Sequence, residues 1–518
     1  MNNSGRGVRP GSRAGLWRAG LRVLVVLLGS WTFYSFIQHL RGETLRPRVE
    51  SAAVMFAIAG LALVLSSPRE DRGGQPILRA RAGPAEALWL FFVAVSFALY
   101  WPTTGIGLLS DDWVLWDRAA NWSIGPVTTE LVRPLPLLIW AVLINVGASP
   151  AVLHMLNIVL HGTNAWLTTR LCEGWIGAGR WSILAGALMI ALPVATEPVS
   201  WAAGVFDLSV TVLVLLFVLR GRYYDSAVTL ASRAIFIAIG ILAMAAKETG
   251  AIAGLLMLID AWIRRKINRQ LLIDTGIVLG LAIVFSAIRL TGAFGLTTPA
   301  LSRYRLQRAL FETFGGLAVP FHTDVLRVPG LAELSVFIVV ALFTTCFVAT
   351  GRRSDRLIPG AATWILISIL PLLPFVFVAP DLQGARYLYL AGPAWSALVA
   401  GVALSSREIT RRILTGVTIG LVVLWAVAVR VHLKPWTEAA LARDEVTRAA
   451  QSDARLRQCR IVAVTKLPDT VRGAYVFRNG TQAALAREAG LHSSEDAAPG
   501  CVFEWNGREF RAISRAPE

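Results

Sequence analysis

LLSDDWVLW, residues 108–116, with LVRP following at 131–134, sets two adjacent carboxylates, Asp111 and Asp112, just beyond a long apolar run that ends near Trp101. Trp113 and Trp116 flank them, and indole rings prefer the headgroup layer of a bilayer. Acids at that depth have two uses. They form a catalytic loop that meets a lipid-linked substrate at the interface, or a solvated acidic connection between two helices.

Hydrophobic residues make up 55% of the 518 and charged residues 16%, which excludes an ordinary soluble multidomain protein and implies a polytopic membrane protein. In a soluble chain the formal net charge of +17 would suggest nucleic acid. Here the arginines lie mostly in short connections between apolar runs, where they set orientation, so no nucleic-acid partner is expected. Arg6, Arg9, Arg13 and Arg18 precede the first run, and no small-residue cleavage site follows at Gln38 to Pro47; this reads as a retained first span.

Runs long enough to span occur at 21–39, 50–67, 84–102, 150–171, 181–199, 203–220, 234–263 (long enough for a pair), 271–291, 331–350, 358–379, 388–405 and 413–431. That makes about thirteen spans. With the N-terminus cytoplasmic, the connections bearing Arg69 to Arg81, Arg220 to Arg233, Arg264 to Arg269, Arg352 to Arg356 and Arg407 to Arg412 fall inside, and the acidic loop and the C-terminus fall outside. Arg41, Arg46 and Arg48 dissent. The parity requires PLPLLIWAVLINVGA, 134–148, to lie at the outer interface rather than cross.

Along 150–171, His154, Asn157, His161 and Asn164 are spaced three, four and three apart, one stripe of a helix. It serves either interhelical hydrogen bonding or a metal or substrate. PVATEPVSWAAGVFDLS, 193–209, is an outer turn carrying Glu197, Trp201 and Asp207, acids that either line the cavity of the acidic loop or solvate a turn. AAKETG, 245–250, puts Lys247 and Glu248 at the tip of a hairpin reaching from the cytoplasmic side. Lys247 there holds a phosphate as a point charge, or pairs structurally with Glu248 or Asp207. The stretch 293–330 is a second external connection in which Arg303, Arg305 and Arg308 bind a lipid phosphate or anchor an interfacial helix. DLQGARYLYL, 381–390, adds Arg386 between aromatic residues, with Tyr387 and Tyr389, as a phosphate or sugar site or as part of an aromatic belt.

Hydropathy ends after Arg430. An amphipathic helix from Pro435 leads to a small mixed unit: a strand in CRIVAV, a helix in TQAALAREAG and a hairpin in CVFEWNGREFRAI turning at Asn506 and Gly507 as a type I′ turn. Roughly eighty residues make a marginal core, which a bridge between Cys459 and Cys501 would support outside the cytoplasm. Cys172 and Cys346 read as buried thiols, and no Cys/His spacing resembles a structural zinc site. The expected architecture is an all-α polytopic bundle with a small α+β extracytoplasmic domain. It divides into extra N-terminal spans at 1–83, a membrane module at 84–434 with external loops 103–149 and 293–330, and the C-terminal domain at 435–518.

In order along the chain, SDDWVLW, VRPLPLLIW, SPAVLHMLNIVLHGTN, PVATEPVSWAAGVFDL, AAKETG, AIRLTG with Arg289, ARYLYL, and Arg430 with Trp436 together resemble the C-type glycosyltransferases, most closely the protein O-mannosyltransferases and the transmembrane and tetratricopeptide-repeat O-mannosyltransferases. The resemblance implies an integral plasma- or inner-membrane enzyme with an extracytoplasmic site, a polyprenyl-phosphate sugar donor and inversion at the anomeric carbon. By the same resemblance Asp111 is the general base and Asp112 orients it or helps to hold a divalent cation, for which Glu197 is a second ligand. Lys247, Arg386 and Arg133 meet the donor phosphate, and Trp113, His154, Asn157, Glu197, Asp207 and Tyr387 line the substrate cavity. The chain departs from the pattern in having GVFDL without the family's Arg, extra N-terminal spans at 1–83 ahead of the one that leads into the acidic loop, and no tetratricopeptide repeats. The acceptor is therefore a protein, a glycan or a lipid. A flippase or transporter of lipid-linked sugars would instead show repeated halves and ionisable groups at mid-membrane, and a catalytically silent relative would bind the donor without transferring it.

Overall fold

The computed structural model describes residues 85–125, 133–224, 228–288, 312–326, 356–372, 378–401, 408–458, 462–489 and 501–515. The runs expected at 21–39, 50–67 and 331–350, the external arginines Arg303, Arg305 and Arg308, Arg289 and Cys459 lie outside the described residues.

Among the described residues, the long apolar runs fold as helices. The helices are α1 (Ala85–Tyr100), α2 (Asp112–Ala120), α3 (Pro134–Asn145), α4 (Pro150–Ile176), α5 (Arg180–Ala191), α6 (Thr196–Ser200), α7 (Val205–Gly221), α8 (Leu230–Ala246), α9 (Ala253–Arg264), α10 (Arg269–Ile288), α11 (Leu357–Ile369), α12 (Gly392–Gly401) and α13 (Glu408–His432). Prolines open α3 and α4, where a missing N–H is harmless, and Thr229 caps α8 by accepting the Ser232 N–H.

Four helices among the described residues are long and apolar enough to cross a membrane, and a fifth is the bent pair Arg180–Ala191 and Pro193–Ser200, angled by 47°. The chain is an integral, multi-pass membrane protein. Among the described residues, several of the runs expected to span fold as shorter or broken helices. Pro193 breaks the run expected to span 181–199, and the 234–263 run is indeed a pair, α8 and α9, joined by a 3₁₀ turn over Glu248–Ile252. At twelve residues α3 is roughly 18 Å long, too short for a hydrocarbon core of about 30 Å.

At the centre stands α4, packed against α1, α5, α7 and α12. It is absent from the four spanning helices because its polar stripe lowers its hydropathy, and that stripe is buried in protein. His161 meets the Tyr389 hydroxyl at 2.7 Å, Asn164 donates to the Leu208 carbonyl at 3.0 Å and Asn157 to the Trp201 carbonyl at 2.8 Å. The bundle has two chemically distinct ends. At one, Trp175, Arg222 and Arg264 converge on the buried Asp260, and Arg222 also donates to the carbonyls of Arg170 and Leu171. At the other, α4 begins with His154 against the Gly107 carbonyl at 2.9 Å, and the acidic loop, the α8–α9 turn and the Ala385–Ala391 segment meet.

Beyond α13 come α14 (Lys434–Ser452), α15 (Ala454–Gln458), β1 (Val462–Thr465), β2 (Thr470–Val471), β3 (Ala474–Tyr475), α16 (Thr481–Ala489), β4 (Cys501–Trp505) and β5 (Phe510–Arg515). Strand β1 pairs parallel with β4, which pairs antiparallel with β5, Trp505 opposite Phe510; β2 and β3 form a separate ribbon. The hairpin turn differs from the type I′ expectation. Asn506 and Glu509 close a four-residue loop, with the Asn506 side chain accepting the N–H groups of Arg508 and Glu509. This segment does not build its core alone. Trp436, Tyr475, Phe477, Phe503 and Phe510 share one hydrophobic cluster with Leu108, Trp113 and Trp116 of the acidic loop and with Trp201.

A Cβ at Gly250 would stand 2.0 Å from the Ala243 carbonyl oxygen, which already accepts the Lys247 N–H. Gly250→Ala should open the α8–α9 turn and destabilise the protein by about 2 to 3 kcal/mol. Gly276→Ala, on α10 with nothing near its Cβ, should be neutral or mildly stabilising. Thermal unfolding of both variants in detergent distinguishes them, and equal midpoints would contradict the packing described for the turn.

Candidate functional site

The adjacent acids of the loop have opposite fates. Ser110 adopts a left-handed backbone (φ 51°), and its N–H donates to the Val476 carbonyl at 2.9 Å. This kink turns Asp112 inward and leaves Asp111 on the wall of a cavity of about 350 Å³. Asp112 is fully buried and accepts the N–H groups of Leu109 at 2.9 Å and Ala203 at 2.7 Å. Burial pushes its carboxyl well above the usual range, against those two hydrogen bonds. Asp112 is a brace that ties the loop to the turn between α6 and α7, 91 residues away in sequence.

Arg386 lies on the same cavity. Its backbone N–H donates to Glu197 at 3.1 Å, its guanidinium pairs with that carboxylate, and it reaches the Tyr475 hydroxyl at 2.7 Å and the Tyr387 hydroxyl at 3.2 Å. The rings of Trp201, Tyr387 and Tyr475 stand 4.9, 4.8 and 5.4 Å from its central carbon. Behind this wall lie two more ion pairs. Lys247 is buried against Asp207, and Arg133 holds Glu248 through two hydrogen bonds of 2.9 and 2.6 Å. Asp207 and Arg386 are close enough to act on the Arg133 charge, so the three pairs form one electrostatic layer.

Of the residues expected at the site, Asp111, Arg386 and Tyr387 line the cavity. The others do not, and each has a structural reason. Lys247, expected on a phosphate, forms the Asp207 pair that was its alternative, and Arg133 is engaged by Glu248. Glu197 sits behind Arg386, and Asp207 behind Tyr387, whose ring is 5.8 Å from the Lys247 ammonium. Trp113 is in the core beneath the loop. His154 and Asn157 are buried on backbone carbonyls, the hydrogen-bonding reading of their stripe. Asp112 and Glu197 do not fit the divalent cation proposed for them, because donors already occupy both oxygens of each, and no group of three or more metal-ligating side chains converges among the described residues.

Ser110, Trp201, Gln383, Gly384, Tyr475, Arg478 and Asn479 complete the lining. Tyr475, Arg478 and Asn479 come from AYVFRNG, 474–480, an aromatic and basic cluster in the tail that follows the last apolar run. A carboxylate and a guanidinium on one polar cavity can accept a proton from a hydroxyl and meet negative charge developing on a leaving oxygen.

No protein-family model matches the chain. Over 73 residues, 14% of this chain, it is 36% identical to the protein O-mannosyl-transferase tmtc2 of Xenopus laevis, and the match spans 9% of that relative's length. Among solved structures it is similar to ArnT from Cupriavidus metallidurans in the apo state, with 15% identity and a TM-score of 0.41 over 82% of this chain and 93% of that one. It is also similar to the arabinosyltransferase EmbB from Mycobacterium smegmatis, with 14% identity and a TM-score of 0.30 over 77% of this chain and 46% of that one.

Asp112→Asn, which removes one acceptor oxygen from a buried brace, should lower stability by about 2 kcal/mol, whereas Asp111→Asn should leave the unfolding midpoint unchanged. A shared midpoint would refute the division of labour between them. Burial works against the ionised Glu248, but Arg133 and Lys247 outweigh it and hold the carboxyl at about 2, below its ordinary 4.5. A depressed carboxylate stabilises the fold above its unfolded value, so this contribution is full above about pH 4.5 and is lost as pH falls through about 2. In Glu248→Gln the fall in unfolding midpoint over that window should be shallower than in wild type.

Proposed function

We propose that this chain is a C-type membrane glycosyltransferase that moves a sugar from a polyprenyl-phosphate-linked donor to an extracytoplasmic acceptor with inversion. The observation that carries this reading is the placement of Asp111 and Arg386 on one cavity at one end of the bundle. Arg220 and Arg264 in the last turns of α7 and α9, and Arg222, Arg265 and Arg356 in the connections beside them, lie at the opposite end, and the positive-inside bias supports a cavity that opens away from the cytoplasm.

In this reading Asp111 takes the proton of an acceptor hydroxyl as its oxygen attacks the anomeric carbon from the face opposite the phosphate. The bond from that carbon to the phosphate oxygen breaks, its electrons stay on the phosphate, and the lipid phosphate leaves with its charge met by the cavity wall. Arg386 supplies part of that wall. Lys247 and Arg133 act from behind it, keeping Asp207 and Glu248 neutralised so that the layer beneath the donor carries no net repulsion. The aromatic rings around Arg386 offer flat apolar faces for a sugar.

Purified protein incubated with labelled polyprenyl-phosphate sugar and a crude envelope acceptor should transfer label, and Asp111→Asn should reduce the rate by roughly 10² to 10⁴ while donor binding persists. Transfer that continues in Asp111→Asn would rule out the base assignment. No transfer by wild type to any envelope fraction would sink the enzyme reading.

A further inference from the structure

Three charged residues, Asp111, Arg386 and Arg478, line the cavity, and they are not equivalent. Arg386 is neutralised by Glu197, and Asp111 has no cation in ion-pair contact among the described residues. Arg478 is exposed and has no carboxylate partner among them; its contact is the ring of Tyr475, at 5.5 Å. That same ring stands 5.4 Å from Arg386. One tyrosine therefore gathers two guanidiniums, of which one has its charge met by a carboxylate among the described residues.

The position of Arg478 is built rather than incidental. The Asn479 N–H donates to the Ser110 hydroxyl at 3.3 Å, and the Ser110 N–H donates to the Val476 carbonyl, so both flanks are stitched to the loop that presents Asp111. Gly480 follows with φ +74°, and a Cβ there would stand 2.7 Å from the Ser110 carbonyl oxygen. Only glycine combines that backbone conformation with so close an approach. The result holds a long cation on the cavity wall, with no carboxylate paired to it among the described residues.

We propose that Arg478 is the anion-binding residue of this cavity and takes the phosphate of the lipid-linked donor, with Arg386 acting as its prepositioned wall. The proposal rests on the glycosyltransferase reading for the identity of the donor, but not for the anion site itself. The carboxylates of Asp111 and Glu197 balance the two guanidiniums, so a donor phosphate enters a neutral chamber. Without Arg478 it enters a negative one, beside the base. Arginine suits the task because its planar donors span two phosphate oxygens and its charge persists at any physiological pH. The C-terminal segment thereby contributes directly to donor recognition.

The test uses the full-length protein in detergent, a short-chain polyprenyl phosphate as probe, and the alcohol of the same chain as control. Wild type should bind the phosphate more tightly than the alcohol. Arg478→Ala should weaken phosphate binding roughly 10- to 100-fold, Arg478→Lys should recover part of the loss, and alcohol binding should not change. The dependence of phosphate binding on salt should be shallower in Arg478→Ala. In the transfer assay Arg478→Ala should raise the donor KM far more than it lowers kcat. Equal phosphate affinity in wild type and Arg478→Ala, or no preference of wild type for phosphate over alcohol, would overturn the proposal. Phosphate binding that follows Arg478 in a protein without transfer activity would uphold the anion site and overturn the glycosyltransferase reading instead.

Discussion

Three ion pairs, Arg386 with Glu197, Lys247 with Asp207 and Arg133 with Glu248, lie at one level of the bundle, and the rest of the site depends on their mutual neutrality. A charge moved out of water next to lipid is costly unless it is paired and hydrogen-bonded. The bundle meets this constraint by breaking its helices at the same level. Glu197 and Asp207 flank the interruption after Pro193, Lys247 and Glu248 occupy the α8–α9 turn, Arg386 lies in the 3₁₀ segment before α12, and Arg133 precedes α3. Irregular backbone at such a level is tolerated where it faces protein or a water-filled cavity. The breaks that expose backbone and the charges that need water thus solve each other's problem.

Above that layer, two neighbouring aspartates illustrate how environment assigns roles to identical side chains. Asp112 is surrounded, hydrogen-bonded to Leu109 and Ala203, and fixes the loop against the α6–α7 turn. Asp111 faces the cavity because the left-handed Ser110 turns the chain by one position. Of two identical side chains, one is consumed in holding the loop and the other is left on the cavity wall.

The C-terminal segment changes the meaning of the site. It shares a hydrophobic cluster with the acidic loop, supplies Tyr475 to the Arg386 cage, and brings Arg478 and Asn479 to the cavity. The membrane bundle and its loops supply most of this cavity's wall, and three residues that follow the last apolar helix, Tyr475, Arg478 and Asn479, complete it.

The sequence by itself determined the membrane character, the paired helices meeting at Lys247 and the polar stripe on α4. Hydropathy and periodicity are sums over neighbouring residues, and those sums are large here. Only the tertiary structure decided which aspartate faces the cavity, that Lys247 and Arg133 are held by acids, and that Arg478 has no carboxylate partner among the described residues. Each of those outcomes turns on a partner far away in the chain: Ala203 for Asp112, Asp207 for Lys247, Glu248 for Arg133, and Ser110 for the segment that carries Arg478. No local pattern records such a pairing, because the energy of a buried charge is set by what folding brings beside it.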